Sequence, residues 1–113
     1  MFICPYFNYS NYCRNDEKKS FTIEEAAWVA RYLKIKFENF DLEDFRIGLN
    51  VELEHGTVNP NTNITNDDPI ITGKITLAHL NEYPDYYKRL TKMEEEAEQY
   101  WNKSKSNGIE KLG

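Results

Sequence analysis

Two histidines, His55 and His79, are the only imidazoles in this 113-residue chain, and each sits among carboxylates. The first lies in VELEHG, where Glu52, Glu54 and His55 precede Gly56; the second lies in AHLNEYPDYY, where Glu82 and Asp85 follow His79. Three chemistries use such sets. A histidine poised by a carboxylate works as a general acid or base. Two histidines with one or two glutamates hold a divalent metal between facing helices. The same groups can instead share buried hydrogen bonds that fix how helices pack. The candidate metal donors are His55, His79, Glu54 and Glu82, with a structural network as the expected use of the same residues. Catalysis finds less support: the chain has no glycine-rich phosphate cradle, no serine or cysteine nucleophile near a histidine and no H-E-x-x-H motif. The order His79-x-x-Glu82 also reverses the Glu-x-x-His of di-iron bundles. No catalytic residue and no cofactor are assigned, a divalent metal being the alternative.

Helical spacing decides which of these groups can meet. Thr22 and Glu25 form a capping box that starts a helix running from about Ile23 to Lys34. Asp41 caps a second helix, along which Leu42, Phe45, Leu49 and Leu53 form one apolar stripe and Ile47, Val51 and His55 another. Gly56 is expected as its left-handed C-cap. A thirteen-residue loop, TVNPNTNITNDDP, is either functional or tied down by its own Asn, Asp and Thr side chains. Asp68 and Pro69 then start a third helix to about Tyr83, with Ile71, Ile75 and Ala78 on one face and Ile70, Leu77 and Leu80 beside it. Pro84 cannot continue that helix, so a break or sharp kink is expected at Tyr83 and Pro84. Asp85 falls in the first turn of a last helix that carries the stripe Tyr86, Leu90, Met93, Ala97 and Trp101 and ends near Lys103. Within this frame Glu52 and Glu54 point in different directions, His55 turns inward, and His79 and Glu82 lie one turn apart. Tyr86 is expected in the core and Tyr87 partly exposed.

Composition bounds the rest. The net charge is −5, and between Phe37 and Gly73 eight acidic residues face a single basic one, Arg46. Direct binding to a nucleic-acid backbone needs the opposite sign. An acidic decoy for a nucleic-acid-binding surface is compatible with it. No apolar run approaches a bilayer span. The opening MFICPYFNYSNYC does not resemble a secretory signal, which places the protein in the cytoplasm or a virion. Phe2, Tyr6, Phe7, Tyr9 and Tyr12 form an irregular aromatic arm, the candidate partner-binding residues. Cys4 and Cys13 in that arm are expected as free thiols, with zinc binding alongside His55 and His79 as the sharper alternative.

From Phe21 to Glu96 the chain resembles a known family through FTIEEA, FDLEDFRIGLNVELEHG, DDP, TGKI-x-LAHLNE and PDYY-x-RL. These blocks are similar to the domain of unknown function 5661, found in bacteria and in viruses including phages. The resemblance implies no activity, and the cysteine-bearing arm departs from the family's usual pattern. The expected architecture is all-α: an arm over residues 1–20, a bundle of about four helices over 21–103 and a flexible tail over 104–113. The expected function is a non-enzymatic acidic interaction module, a phage or viral particle component or accessory, that holds a protein partner through its arm. The alternatives are a metal-dependent protein and the acidic decoy. Oligomeric state is left open.

Overall fold

A computed structural model describes residues 20–106, and the five rings and two cysteines of the arm lie outside them. Four α-helices form an all-α bundle: α1 (Ile23–Tyr32), α2 (Leu42–Glu52), α3 (Pro69–Glu82) and α4 (Tyr86–Ser106). A single 3₁₀ turn, Leu53–His55, extends α2.

Each start is written in side-chain acceptors. The Thr22 hydroxyl accepts from the Glu25 amide while the Glu25 carboxylate accepts from the Thr22 amide. Asp41 and Asp44 repeat this reciprocal pattern at α2, and the Asp44 amide holds the Asp41 carboxyl below the ordinary range. At α3 the Asp68 carboxylate accepts from the amides of Ile70 and Ile71, and Pro69 supplies the first helical residue.

The ends are less conventional. α1 stops at Tyr32, two residues before its expected end at Lys34, in a Schellman-type close: the Ile35 amide reaches the Ala30 carbonyl and the Lys34 amide the Arg31 carbonyl. That close places Lys34 at φ 58°, a position usually given to glycine. Gly56 is not the left-handed cap expected of it, since its φ is −107°. Glycine is needed there because a Cβ would collide with the Asp67 carboxylate, which accepts from the Thr57 amide at 2.9 Å and hydroxyl at 2.6 Å. The long loop is therefore tied down. Thr65 is buried, and the His55 carbonyl accepts from the amides of Ile64 and Thr65.

Phe21, Ala26, Val29, Ala30, Phe45, Leu49, Leu53, Leu80 and Tyr87 form the core. Helix α2 packs against α1, α3 and α4, and α3 also packs against α1 and α4. The Asn50 side chain also accepts from the Phe21 amide at 2.6 Å, which pins the start of α1 to α2.

Two stripes expected to be buried are not. On α3 the buried line is Pro69, Thr72, Gly73, Thr76 and Leu80, while Ile71 and Ala78 face outward. Two threonines can replace isoleucine inside because their hydroxyls bond back to carbonyls four residues earlier, at Asp68 and Thr72. On α4, Tyr86 and Leu90 are partly buried, but every residue from Thr91 to Lys103 is exposed. Met93, Tyr100 and Trp101 are 53%, 55% and 49% exposed, so the apolar stripe outruns the body it was expected to pack against. The helix continues through Ser106, past the expected end at Lys103.

Candidate functional site

The polar cluster is built on Glu52, the last residue of α2, which is only 4% exposed. Its position follows from helical period: Phe45 and Leu49 are buried, and Glu52 lies seven residues beyond the first and three beyond the second, on the same face. A carboxylate taken out of water is costly unless donors meet it. Tyr87 supplies one, its hydroxyl donating to Glu52 Oε2 at 2.6 Å. Gly48 makes this approach possible, because a Cβ there would stand 2.5 Å from both the Tyr87 ring and the Thr76 methyl.

Both histidines aim at the same carboxylate. Nε2 of His79 lies 3.7 Å from Glu52 Oε2, and Nε2 of His55 lies 4.0 Å from Oε1. Each has a second acidic neighbour, Glu82 at 3.6 Å from His79 Nδ1 and Glu54 at 3.2 Å from His55 Nε2. The His79 ring is stacked on Tyr86 with centroids 4.1 Å apart and planes 11° from parallel, and Tyr87 meets it edge-on. His79 is thus held by stacking as well as by its carboxylate neighbours. Burial, the hydrogen bond to Glu52 and the Glu52 charge all push the Tyr87 hydroxyl upward. Tyr86 moves the same way through burial and the charges of Glu52, Glu82 and Glu54. Tyr87 consequently stays a proton donor throughout the physiological range and is unsuited to act as a base.

All four expected donors, His55, His79, Glu54 and Glu82, border this cluster, but Glu52 joins the two histidines. Among the described residues, no group of three or more His, Cys, Asp or Glu is placed to hold a metal ion. The geometry is that of a shared carboxylate with partners around it. His55 does not turn fully inward, its side chain remaining 43% exposed. The two tyrosines exchange their expected places: Tyr87 is buried and Tyr86 lies at the rim. A carboxylate three residues after a buried leucine was the available signal for Glu52. No comparable signal marked Tyr87, whose depth depends on the gap over Gly48. Of two surface cavities, of about 210 and 190 Å³, neither is lined by His55, His79 or Glu52, and the smaller borders the cluster only through Tyr87.

Five of the other six acids of the middle segment, all but Glu38, also have local uses. Asp41, Asp44 and Asp68 cap helices, Glu43 pairs with Arg46, and Asp67 braces Thr57. This distribution spends the negative charge on folding more than on display.

A family model described as a protein of unknown function, DUF5661, matches residues 26–96. The chain belongs to this family. The DUF5661 segment covers the whole Glu52 cluster, from α2 through Tyr87, and stops at Glu96, part-way along the exposed half of α4. No curated protein and no solved structure matches the chain.

Proposed function

We propose that this DUF5661 protein is a non-enzymatic interaction module whose helical body presents the exposed half of α4 to a protein partner. The observation that carries the proposal is the amphipathic face formed by Leu90, Met93, Ala97, Tyr100 and Trp101, of which the last four are exposed. Large apolar side chains repeated at three- and four-residue spacing on one helix face mark helix-in-groove and helix-pairing surfaces. The Glu52 cluster supports this division of labour. It locks α2, α3 and the start of α4 together, and so fixes the direction in which the rest of α4 leaves the body. The aromatic arm, outside the described residues, is a second proposed anchor.

A photo-crosslinking amino acid at Ala97, in the cell that naturally makes the protein, tests the proposal. Discrete covalent adducts are expected from Ala97 and not from the exposed Lys74 on α3. Absence of any discrete adduct from Ala97 overturns the reading.

A further inference from the structure

We infer that the cavity of about 210 Å³ bordered by the α1–α2 connector is a binding site for a small carboxylic acid that carries one apolar group. The inference goes beyond the α4 surface and does not depend on it. It starts from donors that lack acceptors. Every backbone N–H other than proline's must be met by protein, water or a ligand. No acceptor among the described residues meets the amides of residues 36–40, and all five of these residues line the cavity. Two ammonium groups stand beside them. Lys34 and Lys36 form no ion pair among the described residues, in contrast to Arg46 and Lys88, which reach Glu43 and Asp85. The carboxamides of Asn39 and Asn81 complete the polar wall, again with no partner among the described residues, whereas those of Asn50, Asn59 and Asn63 are each bonded. Lysines that follow the end of α1 also complement its dipole, which accounts for their sign but not for the run of free amides.

The backbone here is strained. Lys34 and Phe37 have φ of 58° and 54°, and both border the cavity. The left-handed region disfavours any residue with a Cβ, and bulky ones most. Edge contacts with Phe40 and Phe45, at ring centroids 5.7 and 6.4 Å away, hold Phe37 in place. Strain kept in this way is common at ligand clamps. Phe37, Phe40 and Leu77, all half-buried, give the cavity an apolar side.

Charge and size select the ligand. Glu38 lines the same cavity, so two lysines against one glutamate leave a local charge of +1. That balance suits a monoanion, whereas a phosphate dianion would bring uncompensated charge beside Glu38. A carboxylate accepts several N–H bonds at once, and bonds to an ionised acceptor are the stronger kind. The volume corresponds to about seven waters at roughly 30 Å³ each, room for a ring or a short branched chain beyond the carboxylate.

Titration of the isotope-labelled full chain with phenylacetate, followed amide by amide by NMR, tests the site. Saturable shifts are expected in residues 33–40, Leu77 and Asn81, with a dissociation constant below about 1 mM that rises with salt. Phenylacetamide, the uncharged isostere, and inorganic phosphate at mildly alkaline pH are each expected to bind about tenfold more weakly or worse. Lys34→Gln with Lys36→Gln should weaken phenylacetate by about tenfold or more, whereas Glu38→Gln should tighten it by about threefold, since it removes the repelling carboxylate. Unchanged shifts in the core of α2 and α3 show that each variant is folded. Absence of saturable shifts in residues 33–40 up to about 10 mM phenylacetate overturns the inference. Equal binding of phenylacetamide overturns it by leaving only an apolar contact, and equal binding of phosphate by leaving only a patch of surface charge. Folded lysine variants that bind phenylacetate as the parent does overturn it as well.

Discussion

Glu52 and Tyr87 share the bond on which the packing of three helices converges, and its chemistry gives the chain a distinct alkaline response. Because burial and the Glu52 carboxylate raise Tyr87, the unfolded chain loses this proton first as the pH passes the ordinary tyrosine value near 10. The unfolded state then binds fewer protons than the folded one, so stability contributed by Tyr87 is complete below about pH 10 and falls above it. Tyr87→Phe is expected to cost about 1–3 kcal/mol at neutral pH, since it leaves a buried carboxylate without its best donor. It should also flatten the decline in stability between pH 9 and 11, measured by urea unfolding. Glu52→Gln, which keeps an acceptor and removes the charge, should cost less. Lys34 poses the opposite case, a side chain in the left-handed region at φ 58° with no glycine to relieve it. Lys34→Gly removes a left-handed penalty of roughly 1–2 kcal/mol and adds unfolded-state entropy worth about 0.5–1. A net gain of about 0.5 kcal/mol is expected, visible as a small rise in Tm.

At the scale of elements, two opposing effects meet at Gly48. Alanine in a helix interior is favoured over glycine by about 1 kcal/mol. Here the added methyl would stand 2.5 Å from the Tyr87 ring and from the Thr76 methyl, so α2 and α4 must separate or Tyr87 must leave Glu52. Overpacking of this kind costs about 1–3 kcal/mol, and the hydrogen bond is lost with it. Gly48→Ala should therefore destabilise the protein, by thermal unfolding, despite its better propensity. The same close approach explains what could and could not be read from the chain. Caps depend on neighbours three residues away, and Thr22, Asp41 and Asp68 were legible for that reason. Depth depends on what crosses a helix. Thr72 and Thr76 look polar and are buried, whereas Ile71 looks apolar and is exposed, because hydroxyls bonded to their own helix pack as small apolar groups. His55 and His79 were recognisable as partners of carboxylates, but Glu52 as their common centre emerges only when α2 and α3 are in contact.

Across the whole molecule, the body and the exposed half of α4 are stabilised by different things. The body has a core from Phe21 to Tyr87 and a locked polar seam, so its amides should exchange only with global unfolding. The amides of residues 93–104 have no such cover, since every side chain from Thr91 to Lys103 is exposed. With those side chains exposed, protection in the free protein is expected to be that of local helix propensity, which is worth little over so short a stretch. A protein partner seated on this face, as proposed above, would add protection linked to the partner's concentration. Hydrogen exchange of the free protein and of the protein with the partner captured at Ala97 separates these contributions. Slowing confined to residues 93–104 is expected on binding, while the core amides of α2 and α3 keep their rates. Rapid exchange of residues 93–104 in both samples would assign that half of α4 no contact with the partner.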